Sequence, residues 1–240
     1  MMDDFKALRE KNIEFVKRQI KNSVSKDLMI VHAINNIEEL ERIINVLVGR
    51  LREWFANEDP ELEDEVSDNE FFVSKVLSFE GTGSLMGGSF DEDDEKAVKA
   101  LAISIHGLIQ TKNFLLVYLE KTMGVVCPNI LALAGKTIGA KLIREAGSLK
   151  RLALFQSSTV QLLGAEKALF RHLKSGAKSP KYGHIVNHPI IIACSAGDKG
   201  KAARMLGDKL SMCARLDYFK GEFKAEEYYS ELKERFDKNG

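Results

Sequence analysis

The sequence predicts an all-α protein in which an antiparallel coiled-coil arm precedes a compact helical domain. Two stretches, residues 30–54 and 98–123, carry apolar residues at spacings of three and four, as the seam of a coiled coil does. The chain of 240 residues has only four prolines, and residues that favour helices are abundant. We expect residues 1–123 to form the coiled-coil region and residues 124–240 to form the compact domain.

The predicted arm consists of two long helices joined by residues 57–90, a stretch that includes a glycine-rich patch at 81–88. An amphipathic helix is expected before the arm, over residues 5–22, and Ser25 is placed to cap the first seam helix. The acidic run at 91–95 favours the start of the second helix through the helix dipole. The seam positions are Ile30, Ile34, Ile37, Leu40, Ile44, Leu47, Leu51 and Trp54 in the first helix, and Val98, Ala102, Ile105, Ile109, Leu116, Leu119 and Met123 in the second, with an interruption at Lys112.

The C-terminal half begins where Pro128 ends the second long helix, because proline cannot continue one. Helices are expected over residues 130–146, 149–155, 160–173, 199–216 and 225–236, with loops rich in Gly, Ser, Lys and Pro between them. The short apolar run 190–193 is compatible with a strand or a helix.

Charge is distributed unevenly along a chain that is neutral overall. Residues 57–95 hold fourteen acids and one lysine, whereas residues 136–224 hold seventeen Lys and Arg against six Asp and Glu. A basic half of this kind usually contacts a polyanion, although a solvated surface of uneven charge gives the same count. No run of eighteen uninterrupted apolar residues is present, so no membrane span is expected, and three scattered cysteines favour an intracellular, reducing compartment.

Enzyme chemistry is not expected, and neither is a cofactor or a metal site. Residues 134–137 have the end of a phosphate-binding P-loop, but Ile130 stands where that motif needs its first glycine. His184 and His188 are four residues apart, yet Pro189 follows and no glutamate is placed to act as the base of a zinc protease.

The strongest candidate site is the basic segment that starts at Ser158. Gly164 and Ala165 are expected in the first turns of a helix, where small side chains let RNA approach closely. Tyr182 offers a stacking surface. The candidate RNA-binding or ribonucleoprotein-binding residues are Ser158, Thr159, Gln161, Gly164, Ala165, Glu166, Lys167, Phe170, Arg171, Lys174, Lys178, Lys181 and Tyr182. A helix-packing Gly-Ala pair beside a solvated basic loop is the alternative interpretation.

Residues 164–171, Gly-Ala-Glu-Lys-Ala-Leu-Phe-Arg, resemble the signature of the Nop domain. Further segments agree with that family in the same order: residues 127–130, 138–143, 146–149, 158–161, 180–183, 199–201 and 214–217. Residues 27–55 resemble the first coiled-coil helix of the same family. The resemblance covers about residues 9–240 and is weakest over 64–95.

The resemblance implies a non-enzymatic ribonucleoprotein scaffold of the box C/D or pre-mRNA-splicing type, whose Nop sequence looks closer to the archaeal branch. Such a scaffold binds kink-turn RNA already held by a small ribosomal-type protein, and its coiled coil would join two copies or hold other subunits. Lys167, Arg171, Lys174, Lys178 and Lys181 would then contact phosphates, while Phe170 would pack inside the domain. The location would be the cytoplasm of an archaeon or the nucleus of a eukaryote.

Two departures from the family pattern qualify these expectations. Only the residues before Ser25 precede the coiled coil, so the domain that docks the methyltransferase fibrillarin is not expected, nor is fibrillarin docking. Val186 and Asn187 replace an aromatic-His pair that is common in the family, which alters the RNA contacts of that loop. The alternative function is therefore a protein–protein adaptor with a Nop fold that has lost RNA binding. Neither the particular RNA nor the choice between modification and splicing follows from the sequence.

Overall fold

The protein folds as an assembly of helices in a computed structural model that describes residues 2–23, 25–79 and 87–236. Across these residues all regular secondary structure is helical, which confirms the all-α prediction. The helices are α1 (Met2–Ser23), α2 (Lys26–Phe55), α3 (Pro60–Glu65), α4 (Asn69–Leu77), α5 (Glu92–Val126), α6 (Pro128–Ala146), α7 (Leu149–Leu154), α8 (Ser157–Leu162), α9 (Glu166–Ser175), a 3₁₀ helix (His184–Asn187), α10 (Pro189–Ala193), α11 (Lys199–Tyr218) and α12 (Ala225–Phe236).

Two compact units are present, and neither corresponds to one continuous half of the chain. Unit 1 contains residues 1–34 and 119–240, and unit 2 contains residues 35–118. The long helices α2 and α5 each contribute to both units. The predicted division between residues 123 and 124 stays a prediction.

Unit 2 has an apolar core shared by α2, α4 and α5. Its buried side chains include Val48 and Leu51 of α2, Phe72 of α4, and Ala102 and Ile105 of α5. Most of the predicted seam residues of this unit are buried or packed against the core, but Trp54 is 39% exposed and Phe55 is buried instead. The helix repeat of 3.6 residues moves position 54 away from a seam of period 3.5.

The parts of α2 and α5 in unit 2 run antiparallel. Glu58, just beyond the end of α2, has a pKa raised by burial and then by the charge of Glu95 near the start of α5. Further back along α2, Asn45 accepts a hydrogen bond of 3.1 Å from Asn69 of α4. The next residue, Glu70, pairs at 2.8 Å with Lys112, which lies further along α5. The order of these contacts gives opposite helix directions.

Helices α3 and α4 occupy the stretch that the sequence assigned only to a connection. Asp59 caps α3 by accepting from the Leu62 N–H at 3.1 Å, and Asp68 caps α4 by accepting from the Phe71 N–H at 2.7 Å. Helix α4 thus adds a third helix to the core of unit 2. The coiled-coil arm itself stays a prediction. Of the glycine-rich patch, residues 81–86 lie outside the described part of the chain.

Helix α5 is long and apolar enough, by length and composition, to cross a membrane. This helix contains no run of eighteen uninterrupted apolar residues, because polar residues divide its sequence. Its first turn carries four acidic residues, and a single helix of this kind is weak evidence for a membrane span.

The packing of unit 1 depends on hydrogen bonds that tie α11 to the start of α6. The helix predicted from Ile130 begins two residues earlier, at Pro128. The buried Asp217 of α11 accepts hydrogen bonds from the Asn129 and Ile130 N–H groups at 3.0 and 2.9 Å. Free N–H groups at a helix start need such acceptors, so Asp217 caps α6 from a distant part of the chain.

Helix α6 is kinked at Gly135, whose φ of +74° is not helical. Close to this kink, the buried His188 ring hydrogen-bonds through Nε2 to the Leu133 carbonyl at 2.8 Å. Its Nδ1 accepts from the Ile190 N–H at 3.3 Å, which caps α10. His188 therefore holds α10 against the kink. Residues 190–193, for which the sequence allowed a strand or a helix, are helical.

Candidate nucleic-acid interface

The predicted site residues begin on α8, which packs closely on α11. Val160 of α8 is 1% exposed. A Cβ added at Gly207 of α11 would lie 3.1 Å from the Ser157 carbonyl, so a glycine at this position permits the close approach. Ser158 and Thr159 on the same helix are exposed. Thus α8 is anchored on one side and open on the other.

A turn at residues 163–165 corrects the prediction of one continuous helix over 160–173. Gly164 has φ +88°, and a Cβ built on it would lie 2.5 Å from the His184 ring. Ala165 is the N-cap of α9, so neither residue lies in the first turns of a helix. The Gly164 N–H donates to Glu166 Oε1 at 2.8 Å, so one oxygen of the predicted contact residue Glu166 holds this turn in place.

Helix α9 displays its side chains without burying any of them. Its exposed cations are Lys167, Arg171 and Lys174. At 100° per residue, the centre of the apolar group Leu169, Phe170 and Leu173 lies about 120° around the helix from the centre of the cations, and Phe170 is the apolar residue nearest to them. Phe170 is 63% exposed and Leu173 is 70% exposed. The expectation that Phe170 packs inside the domain was therefore wrong, because no layer of the fold covers this face of α9 within the described residues.

The loop after α9 returns to α8 and is fastened there by backbone hydrogen bonds. Gly176, with φ +67°, ends α9, and Lys178 is exposed in the loop. The Gln161 side chain donates from Nε2 to the Lys181 carbonyl at 2.6 Å. The Gly183 and His184 N–H groups donate to Gln161 O at 2.9 Å and Leu163 O at 2.8 Å. These bonds bring Lys181 and the half-buried Tyr182 next to α8.

Glycine is required at position 183 for this attachment. A Cβ built there would lie 1.9 Å from the Leu163 carbonyl oxygen, far inside van der Waals contact. Only a residue without a Cβ lets the loop lie this close to α8.

Five of the thirteen predicted residues line two depressions next to α8, and the other eight line neither of them. One is a cleft of about 400 Å³ and the other a groove of about 370 Å³. The cleft is lined by Ser158, Gln161, Leu162, Pro180, Lys181, Gly197, Gly200, Lys201 and Arg204. The groove is lined by Glu145, Phe155, Ser158, Thr159, Leu162, Leu163, Glu166 and Leu169.

Residues at the start of α11 belong to this surface although the sequence analysis did not select them for the site. Gly200, Lys201 and Arg204 line the cleft together with Lys181. The family segment at 199–201 was the available signal, but only the fold shows that it lies beside residues 158–161. Four cations of α9 and the loop after it carry the same positive charge as Lys181, Lys201 and Arg204. They are Lys167, Arg171, Lys174 and Lys178.

The predicted cations are available to a ligand. Across the described residues, Lys167, Arg171, Lys174, Lys178 and Lys181 form no ion pair with an acidic side chain. Elsewhere in the chain Lys and Arg side chains pair with acids in many places. Five cations without acidic partners on one connected segment favour an anionic ligand.

The residues of the P-loop-like segment and the His184–His188 pair do not form a binding site. Lys136, from the broken P-loop pattern, pairs with Glu120 at 2.7 Å, and the preceding Gly135 forms the helix kink. His184 bonds to Glu145 at 3.1 Å, while His188 is buried and bonded to the backbone. Among the residues described, no group of three or more His, Cys, Asp or Glu is placed to hold a metal ion.

Comparison with known proteins identifies the family. A family model described as "Nop: snoRNA binding domain, fibrillarin" matches residues 77–238. An uncharacterised NOP5 family protein of Methanocaldococcus jannaschii is 36% identical, over 97% of this chain and 62% of that protein. Nucleolar protein 56 of Saccharomyces cerevisiae is 34% identical, over 91% of this chain and 51% of that protein. The chain thus spans about half to two thirds of the length of these relatives.

A solved structure also resembles the whole chain. A chain from the crystal structure of a fibrillarin/Nop5p complex matches with a TM-score of 0.61 at 24% identity, over 98% of this chain and 78% of that one. At this identity the likeness shows the fold alone. Both this structure's name and the family description include fibrillarin, which runs against the expectation that fibrillarin docking is doubtful. The match over residues 77–238 establishes that this chain belongs to the Nop family.

Proposed function

We propose that this chain is a non-enzymatic ribonucleoprotein scaffold that binds a kink-turn RNA already complexed with a small ribosomal-type protein. Box C/D particles are the first candidate because the relatives include a NOP5 family protein and nucleolar protein 56. A splicing particle is the second setting. The scaffold would act in the cytoplasm of an archaeon or in the nucleus of a eukaryote.

The two faces of α9 carry this proposal. Lys167, Arg171 and Lys174 supply exposed positive charge for RNA phosphates, and Phe170 and Leu173 supply an exposed apolar surface for a protein. Neighbouring faces of one helix would meet an RNA and a protein that are already in contact with each other. A scaffold with this geometry binds the complex more tightly than it binds either component.

A gel shift on a kink-turn RNA, with and without its ribosomal-type partner protein, tests the proposal at two salt concentrations. We expect a supershift that needs the partner protein and weakens as salt rises, because phosphate contacts release counterions. Lys167→Glu should abolish the supershift. Lys150→Glu, which makes the same charge change on the exposed surface of α7, is the matched control and should preserve it.

The outcomes separate the scaffold from the adaptor. A complex with the partner protein that forms without RNA and does not respond to Lys167→Glu would contradict the scaffold and support the adaptor that has lost RNA binding. A shift of RNA alone, with no effect of the partner, would contradict composite recognition.

We also propose that α5 joins two copies of the chain through a second apolar face. Ile103, Phe114 and Val117 are 62%, 70% and 66% exposed, and Gly107 lies on the same side of the helix. This side is roughly opposite to the buried residues Ala102, Ile105 and Ile109 at 100° per residue. Apolar residues on two sides of one helix favour a second helical partner.

Sedimentation of the full chain at several concentrations tests this association. We expect a dimer for the unmodified chain and a monomer for Phe114→Glu, because the introduced carboxylate would be buried without a partner. Ser74→Glu, at an exposed position of α4, adds the same charge away from α5 and is the control. A monomer at every concentration of the unmodified chain would contradict the association.

A further inference from the structure

The cleft between α8 and the start of α11 has features beyond a general basic surface. Its volume of about 400 Å³ falls in the range of about 300–1,000 Å³ that small-molecule sites in proteins span. Residues of α8, of the loop after α9 and of the start of α11, including Gly200, line the cleft. The cleft can hold a group of the size of a nucleotide, whereas a double helix is too wide to enter.

Cations from two separate elements line the cleft. Lys181 comes from the loop after α9, and Lys201 and Arg204 come from α11. Lys201 is held at 3.0 Å from Asp198, whereas Lys181 and Arg204 form no ion pair across the described residues. A phosphate in the cleft would therefore contact cations from both elements.

The remaining lining suits the other parts of a nucleotide. Leu162 and Pro180 provide apolar surface for a base or a ribose. The Ser158 hydroxyl and the Gln161 amide provide hydrogen-bonding atoms, and the bond from Gln161 Nε2 to the Lys181 carbonyl leaves the Gln161 side-chain oxygen available as an acceptor.

We propose that this cleft binds one unpaired nucleotide of the RNA, with its phosphate between Lys181 and Arg204 and its base against Leu162 and Pro180. The inference rests on the proposed RNA-binding function and adds a site for a single nucleotide to it. Base-paired nucleotides cannot enter, so the site selects RNA with an unpaired position. The scaffold would thereby distinguish its RNA from a regular duplex of the same charge.

Gly200 provides a steric test that leaves every charge in place. A Cβ built at Gly200 has Lys181 Cδ as its nearest neighbour, at 4.0 Å, so a larger side chain fits the backbone and enters the cleft. Gly200→Leu should therefore fill the site without unfolding the protein. Gly49→Leu, at a helical glycine of unit 2 with nothing within 4 Å of its built Cβ, is the matched control.

The experiment is an NMR titration of the ¹⁵N-labelled full chain with a uridine trinucleotide, compared with inorganic phosphate. We expect the trinucleotide to shift the amide signals of Ser158, Gly200 and Lys201 and to bind about tenfold more tightly than phosphate, because a base would bury apolar surface against Leu162 and Pro180. Gly200→Leu should remove these shifts, Arg204→Gln should weaken binding, and Gly49→Leu should change nothing.

Three results would overturn the nucleotide site. These are the absence of shifts at the cleft, equal affinities for phosphate and trinucleotide, and shifts that persist in Gly200→Leu when its thermal unfolding is unchanged. The titration needs neither the kink-turn nor its partner protein. A negative titration together with a positive gel shift would therefore reject the cleft and leave the scaffold function standing.

Discussion

Helices α8 and α9 are consecutive, yet they have opposite relations to the fold. Helix α8 buries Val160 and lies close to Gly207 of α11, whereas α9 buries none of its residues. Only residues 163–165 separate them. The segment 164–171 therefore combines a turn that is packed against the fold with a helix whose side chains stay exposed.

Breaking the anchored part should have the largest effect on stability. Gly183→Ala places a Cβ against the Leu163 carbonyl, so the loop must move and its backbone bonds to α8 are lost. We expect the free energy of unfolding to fall by about 3 kcal/mol, measured by chemical denaturation. Gly197→Ala is the control, because nothing lies within 4 Å of its built Cβ, and an equal loss in both variants would contradict this account.

Shortening one apolar side chain on each of α8 and α9 should lower the free energy of unfolding by different amounts. Val160→Ala on α8 should cost about 2 kcal/mol of unfolding free energy, since it leaves space in the packing against α11. Phe170→Ala on α9 removes a larger side chain but should cost less than about 0.5 kcal/mol, because that ring is mostly exposed. Thermal unfolding of both variants measures the difference. A larger loss for Phe170→Ala would show that α9 is anchored after all.

Much of the helical arrangement follows from sequence pattern. The helix after Pro128, the α7 and α11 segments and the last helix at residues 225–236 lie where periodicity and proline placed them. The missed elements depend on local caps and distant contacts. Helices α3 and α4 are short and are capped by Asp59 and Asp68, while the α8–α9 turn places Gly164 against the His184 ring.

The sequence predicted which cations belong to the candidate site but not which other residues lie beside them in the fold. The cations of residues 167–181 were selected from charge and resemblance, and the structure leaves them without acidic partners among the described residues. Arg204 was not selected, because its place beside Lys181 arises only when α11 packs on α8. The exposure of Phe170 could not be predicted from its type, since an aromatic residue in a helical pattern is usually buried.

A smaller effect, dependent on pH, is expected at the buried His188. Burial lowers the pKa of His188 below its ordinary 6.5, so the neutral ring is favoured in the folded protein. The stability that it contributes is present above about pH 6.5 and is lost as the pH falls, because the unfolded chain then binds the proton more readily.

His188→Asn tests this contribution. Asparagine can still cap α10 but cannot reach the Leu133 carbonyl, so we expect a loss of about 1 kcal/mol at pH 7.5. The variant should also lose less stability than the unmodified chain between pH 7 and pH 5. His106→Asn, on α5, is the control. Parallel pH curves for the unmodified chain and His188→Asn would contradict the assignment.

The most direct test of the central claim measures the two faces of α9 separately in the complex with RNA and partner protein. Lys167→Glu with Arg171→Glu should weaken binding and reduce the slope of affinity against salt by about 2, one for each phosphate contact removed. Phe170→Ser with Leu173→Ser should weaken binding only when the partner protein is present and should leave that salt slope unchanged. If both double variants change affinity and salt slope alike, α9 does not divide its faces between RNA and protein, and the proposed composite recognition is contradicted.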